Sequence, residues 1–235
     1  MNYKIKELKA MVKGLIFDFN GTLYFDTDKQ EEAWRIYIQK KYHRSINPTE
    51  FRDHIHGRAF DSIFEYYLGS DSSEKEQKEM IEEKEAIYRE IARADQKNLH
   101  LVSGAESLFD ELSGRKIPFT VATASGIKNV QFYFEVFPLY KWFVGPEDWV
   151  YDDGTIPGKP EPDIYLKAAK KIGIEPANCL VVEDSFPGIT AAIDAGIGKV
   201  IAMNPAGDRD KIEKMNDVKA IISDFNGFAE RFLNE

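Results

Sequence analysis

Leu15-Ile16-Phe17-Asp18-Phe19-Asn20-Gly21-Thr22-Leu23 is the stretch on which the fold turns. Leu15 to Phe17 make an apolar run too short for a helix, of the kind carried by a strand buried on both faces. Asp18 falls where that strand ends, and Gly21-Thr22 turns the chain away. In an open parallel sheet, ligands bind outside the carboxyl ends of the strands, so a carboxylate there is placed for chemistry. Taken alone, Asp18 reads equally well as a turn residue or helix cap. The rest of the chain has to decide.

With 235 residues, 43% of them hydrophobic, the chain has enough apolar surface for one large domain or a domain with a smaller one inserted. A net charge of -9 argues against a general nucleic-acid binder and against an anionic membrane surface, but leaves room for a local site that grips a small anion. The single cysteine, Cys179, beside Leu180, Val181 and Val182, reads as a buried thiol and suits a reducing compartment. With no apolar run near 18 residues and no signal-peptide pattern, the expectation is a soluble, cytoplasmic protein. Nothing in the composition specifies an oligomeric state.

Downstream of Leu23 the pattern turns helical. Ala33, Trp34, Tyr37, Ile38 and Tyr42 form one stripe, a second helix begins near Pro48, and a third carries Ile63, Phe64, Tyr67 and Leu68. A charged helix then runs from Glu74 to about Arg93, with Glu74/Lys78 and Glu85/Arg89 at favourable i,i+4 spacing and its charges expected in solvent. Strand–helix alternation resumes near His100, where Ser103 and Glu106 have capping-box spacing. Further strands are expected at Phe119–Ala122, Trp142–Val144, Cys179–Val182, Val200–Ala202 and Ala220–Ile222. The pattern implies an α/β fold: a doubly wound, Rossmann-like parallel sheet core over 11–26 and 99–235, an all-helical block inserted over 27–98, and an extension over 1–10.

In such a sheet, four strand ends bring polar residues to one rim: Asp18 and Asn20; Thr123 and Ser125; Lys159 in Gly158-Lys159-Pro160; and Glu183-Asp184-Ser185. Asp18, Glu183 and Asp184 would repel one another unless a cation sits among them, and an all-oxygen site suits magnesium, Mg2+. Lys159 and Thr123 supply the positive charge and hydroxyl that grip phosphate.

These motifs, in this order, resemble the haloacid dehalogenase (HAD) superfamily, in the branch with a helical cap that includes beta-phosphoglucomutase and small-molecule phosphatases. The resemblance implies a nucleophile at Asp18 that takes the phosphoryl group, phosphoryl oxygens held by Thr123 and Ser125, and charge offset by Lys159. It implies a metal held by Asp18, the main-chain carbonyl of Asn20 and Asp184, with Glu183 as a further or water-mediated ligand. In the cap, His54, His56 and Arg58 surround Gly57, where the family lowers a specificity loop, and Phe25-Asp26-Thr27-Asp28 looks like the hinge.

The departure is Asn20, where the family's phosphatases carry the Asp that acts as general acid and then base; an amide cannot exchange a proton in that way. The expected activity is a magnesium-dependent phosphatase acting on a small phosphorylated metabolite, sugar phosphates included, through an aspartyl-phosphate. The alternatives are a beta-phosphoglucomutase-like phosphomutase and a low-turnover phosphate-binding protein. Asn20-Gly21 and Asn226-Gly227 are both dipeptides prone to deamidation, and deamidation of Asn20 would restore the acid. Asp224-Phe225-Asn226-Gly227 nearly repeats the first motif but reads as a turn or helix cap.

Overall fold

The apolar run becomes strand β1 (Gly14–Phe17), buried at every residue, near the middle of a six-stranded sheet. A computed structural model of the chain describes residues 12–55, 60–203 and 209–233. The other strands are β2 (Phe119–Gly126), β3 (Val150–Asp152), β4 (Cys179–Glu183), β5 (Lys199–Met203) and β6 (Val218–Ile222). Their order is β3-β2-β1-β4-β5-β6, and every pair is parallel. This is the doubly wound order in which the chain reverses direction across the sheet beside β1, opening a crevice between the ends of β1 and β4. Phe17 pairs with both Val121 and Val182, so the residues just beyond them, Asp18 and Glu183, sit at one level.

Successive strand residues face opposite layers, as the pleat requires. Leu15, Phe17, Leu180 and Val182 pack with Phe109 and Tyr133, which lie on α5 (Ala105–Gly114) and α6 (Ile127–Val136). Ile16, Cys179 and Val181 pack with Tyr165 and Ile189, on α7 (Asp163–Ile172) and α8 (Phe186–Asp194). The helices α9 (Arg209–Ile212) and α10 (Phe228–Phe232) complete the two layers. Among the described residues, no helix is long and apolar enough to cross a membrane.

Between β1 and α5 lie α1 (Thr27–Tyr42), α2 (Pro48–His54), α3 (Phe60–Leu68) and α4 (Glu74–Ala94). They bury a cluster of their own, including Trp34, Ile38, Phe51, Phe64 and Met80. Ser73 and Glu76 close a capping box on α4, with both reciprocal bonds formed.

Several expectations fail for identifiable reasons. Trp142–Val144 is not a strand: Phe143 packs among Phe109, Phe119 and Trp149, Val144 is exposed, and the third strand is Val150–Asp152. Ser103 does not cap α5; its carbonyl and hydroxyl accept from Phe225 N and Asn226 Nδ2, and Gly104 takes the cap position with φ +83°. Any side chain on Gly104 would meet the Phe225 backbone at 2.5 Å. Glu74 and Lys78 do pair at 3.4 Å, but Glu85 turns to Lys84 and Asn129 rather than to Arg89. Nor is the α4 charge run wholly solvated: Lys84 is buried over the Trp34 and Tyr88 rings. The copy at Asp224–Gly227 is a turn, with Asn226 N donating to Asp224 Oδ1 and Gly227 opening α10. The extension over 1–10, and His56 and Arg58, lie outside the described residues.

Candidate active site

The carboxyl ends of β1 and β4, with the loop before α7, bring Asp18, Lys159, Glu183 and Asp184 together. Lys159 Nζ donates to Asp18 Oδ1 at 2.6 Å and to Glu183 Oε1 at 2.7 Å. All three side chains are almost fully enclosed, at 7%, 8% and 1% exposure for Asp18, Lys159 and Glu183. The Lys159 ammonium also lies 5.2 Å from the centre of the Tyr165 ring. Burial works against its charge, but Asp18 and Glu183 outweigh it and hold its pKa well above the usual value.

Both oxygens of Glu183 are engaged. Oε1 takes Lys159, and Oε2 accepts from Ser185 N at 2.5 Å and Ser185 Oγ at 3.0 Å. Gly188 makes this packing possible, since a Cβ there would fall 1.7 Å from Glu183 Oε1. Asp184 is the opposite case: among the described residues, its carboxyl accepts only a long bond, 3.4 Å, from Thr22 Oγ1. It lies against Gly21, which has a φ of +77° and where a Cβ would fall 2.1 Å from Asp184 Oδ2, so no other residue fits.

Oxygens of Asp18, Glu183 and Asp184 lie within 4.8 Å of one another. Three acids thus face one ammonium. Burial, more than the pull of Lys159, pushes the Asp18 pKa up to about 7, and the Glu183 charge adds to it. Burial, then Glu183 and Asp18, raises Asp184 well above the carboxylate range. An under-bonded carboxyl in a cluster short of positive charge, offering only oxygen donors, fits a hard divalent cation such as magnesium.

Asn20, by contrast, has every polar atom of its side chain occupied. Nδ2 donates to Asp26 Oδ2 at 2.7 Å and to Tyr133 Oη at 2.8 Å, while Oδ1 accepts from Ser125 Oγ at 2.9 Å. A longer bond, 3.4 Å, joins Oδ1 to Thr123 Oγ1. The amide cannot be flipped, because its oxygen would then face the Asp26 carboxyl. Ser125 does not cap α6; Gly126 opens that helix without a side-chain bond.

The fold agrees with comparison to known proteins. Residues 12–196 match the family model described as haloacid dehalogenase-like hydrolase. The chain belongs to the haloacid dehalogenase-like hydrolases. It is 30% identical over 216 residues to a Drosophila melanogaster protein named "Probable pseudouridine-5'-phosphatase", covering 89% of this chain and 90% of that one. It is 27% identical over 205 residues to hexitol phosphatase A of Escherichia coli K12, covering 87% of this chain and 88% of that one. Among solved structures, a HAD hydrolase of family IA, variant 3, from Entamoeba histolytica superposes with a TM-score of 0.86 at 32% identity, over 95% of this chain and 98% of that one. This chain is therefore an enzyme of the HAD hydrolases, with relatives named as phosphatases of small molecules.

Within this HAD hydrolase the bonds above form two groups, Lys159 with Asp18 and Glu183 beside Asp184, and Asn20 with Thr123 and Ser125. Of the insert residues, His54 is described and stacks on Tyr66, ring centres 3.8 Å apart. No signal in the sequence marks Asp26, Tyr88 or Tyr133 as part of the second group. Asp26 reads there as a hinge residue, and its partners on α4 and α6 are brought in only by the tertiary fold.

Proposed function

We propose that the protein is a magnesium-dependent phosphatase acting on a small phosphorylated metabolite, sugar phosphates included, in the reducing cytoplasm. The observation that carries this reading is the enclosed Lys159 bridging Asp18 and Glu183 beside the under-bonded Asp184. Asp18 and Asp184, with the carbonyl of Asn20, would hold the cation, and Glu183 would chiefly orient Lys159. When bound, magnesium would offset the acids' charge and that of the phosphoryl group.

In the first step, an Asp18 oxygen forms a bond to phosphorus as the ester bond to the leaving oxygen breaks, giving an aspartyl-phosphate. Thr123 would hold a phosphoryl oxygen, Ser125 would do so on giving up its bond to Asn20 Oδ1, and Lys159 balances charge as it develops. In the second step water attacks phosphorus, releasing phosphate and regenerating Asp18. Asn20 cannot give the leaving group its proton, nor take one from the water, so the leaving oxygen takes its proton from solvent and the attacking water gives its proton to solvent. Residues 27–98 act as a cap on the core of 11–26 and 99–235, with His56 and Arg58 reading the rest of the substrate.

Phosphate release from a panel of phosphorylated sugars, nucleotides and acyl phosphates, with and without magnesium, tests the proposal. Metal-dependent release that is lost in Asp18→Asn supports it. No release from any substrate favours the second reading, a low-turnover phosphate binder, which the fully engaged Asn20 side chain also suits. A phosphomutase must protonate and deprotonate two substrate hydroxyls, so Asn20 counts against that activity.

A further inference from the structure

We infer that Asp26 is a positioning residue that ties the loop after the nucleophile to insert helix α4, so that the seating of α4 and the shape of residues 20–24 are one event. Asp26 lies between β1 and α1 with its side chain turned inward and 1% of its surface exposed. Oδ2 accepts from Asn20 Nδ2 at 2.7 Å, Tyr88 Oη at 2.6 Å and Gln30 Nε2 at 3.2 Å; Oδ1 accepts from Gly21 N at 3.2 Å. Tyr88 belongs to α4 and Tyr133 to α6, and their hydroxyls lie 3.4 Å apart. Both tyrosines are fully buried. One carboxyl group therefore joins the loop after Asp18 to the insert, and Asn20 and Tyr88 extend the link to Tyr133 in the core layer.

The loop is also held by Val102 N donating to Leu23 O at 2.8 Å and by the burial of Leu23 and Tyr24, but its own amides are poorly shared out. Thr22 N, Leu23 N and Tyr24 N all point at one acceptor, Phe19 O, and Gly21 N is shared between Tyr24 O and Asp26. The α4–α6 seam is also crossed by the buried Asn129, bonded to Glu85 at 2.6 Å and Arg89 at 2.7 Å, and by the largely exposed pairs Arg93 to Glu135 and Lys128 to Glu82, which contribute little. The knot at Asp26 is what carries the seam into the loop after Asp18, and there a buried polar group that loses its partner is costly.

The same knot accounts for the amide at residue 20. That side chain must donate to Asp26 and Tyr133 on one side and accept from Ser125 on the other. A carboxylate would set oxygen against oxygen at 2.7 Å. Asn20 is thus the partner that Asp26 requires.

The test is amide hydrogen exchange, read by mass spectrometry, on the wild type, Tyr88→Phe and Asp26→Asn, with Tyr24→Phe as control. Tyr24 loses the same hydroxyl in the same loop, but that hydroxyl has no hydrogen-bond partner among the described residues. Tyr88→Phe should speed exchange in residues 20–24 and in 85–92 together, by about tenfold, the loss expected for one buried hydrogen bond. Tyr24→Phe should leave both segments unchanged. If Asp26→Asn does not fold, Tyr88→Phe decides alone. Faster exchange confined to 85–92, no change in either segment, or the same change in Tyr24→Phe would overturn the inference. Exchange needs no substrate, so this result stands apart from whether the protein is a phosphatase. Should the wild type release phosphate, Tyr88→Phe should lower kcat about tenfold with KM little changed, and Tyr24→Phe should match the wild type; equal kcat in Tyr88→Phe and the wild type would also count against the inference.

Discussion

The ammonium of Lys159 lies 2.6 Å from Asp18 Oδ1 and 2.7 Å from Glu183 Oε1, and among the described residues no other cation is bonded to the three clustered acids. Lys159→Ala would leave those acids facing one another. Breaking an enclosed pair costs about 3–5 kcal/mol. The deficit should be larger at pH 8 than at pH 6, where Asp18, already raised to about 7, can take a proton. Denaturant midpoints at the two pH values check this, and equal deficits would mean that the acids are neutralised some other way. Phosphate affinity should fall in the same variant.

Magnesium should stabilise the protein more as pH rises. Without the cation, Asp18 keeps its proton up to about pH 7 in the folded state, against 3.8 as its ordinary value. A folded pKa above the unfolded one means that stability from this group is present on the acid side and is lost as pH climbs through 4 to 7. A cation competes with that proton. Melting curves with and without magnesium should therefore show a larger rise in Tm at pH 8 than at pH 6. Identical rises would remove Asp18 from the set of ligands.

Asp18→Asn should abolish metal-dependent phosphate release altogether, since it removes the attacking oxygen and weakens the cation site together. Activity within tenfold of wild type would sink the aspartyl-phosphate route. Mass spectrometry of the wild type, quenched during turnover, should show a phosphorylated Asp18, because the water step also lacks a base.

Asn20→Asp separates two effects. A positioned general acid typically contributes roughly 10²–10⁴-fold, most for basic leaving groups such as sugar alkoxides. Yet residue 20 lies 2.7 Å from Asp26, so a second carboxyl enters a buried, occupied place. The single variant should gain less than about tenfold on sugar phosphates, and Asn20→Asp combined with Asp26→Asn should gain more, because the swap restores a donor–acceptor pair. Rates across a series of leaving groups measure this. A single variant that reaches the full factor would show that residue 20 is free to turn.

Deamidation should distinguish the two Asn-Gly pairs. Asn20 is clamped at both ends of its amide, whereas Asn226 is exposed in a surface turn. Peptide mass spectrometry of aged protein should find modification at Asn226 well before Asn20, so aging should not restore an acid to the site. Modification at Asn20 first would contradict the clamped geometry.

Much of this is legible in the chain because parallel strands advertise themselves. Leu15–Phe17 and Cys179–Val182 are continuous apolar runs, and the polar residues after them mark the rim. The edge strand Val150–Asp152 is short and ends in an acid, so the aromatic run at Trp142–Phe143 is the louder signal; its hydrophobicity serves the packing around Trp149. Asp26 is hidden for a different reason. A charged residue between the first strand and the first helix reads as part of a hinge, and only the folded chain brings Tyr88 and Asn20 to it.

The position of β1 also bears on how the chain reaches this state. Leu15 pairs with Phe119 on one side and Leu180 on the other, so β1 exists in the growing chain long before either neighbour does. The helices between them can form from nearby contacts, while the pairing of β1 must wait for large loops to close. Until Cys179–Glu183 has been synthesised, Leu15–Phe17 is an apolar strand with an open edge, the kind of segment that chaperones or other nascent chains engage. Mutations that weaken β4 should therefore show first as loss of soluble protein, before any defect in the chemistry at Asp18 can be seen.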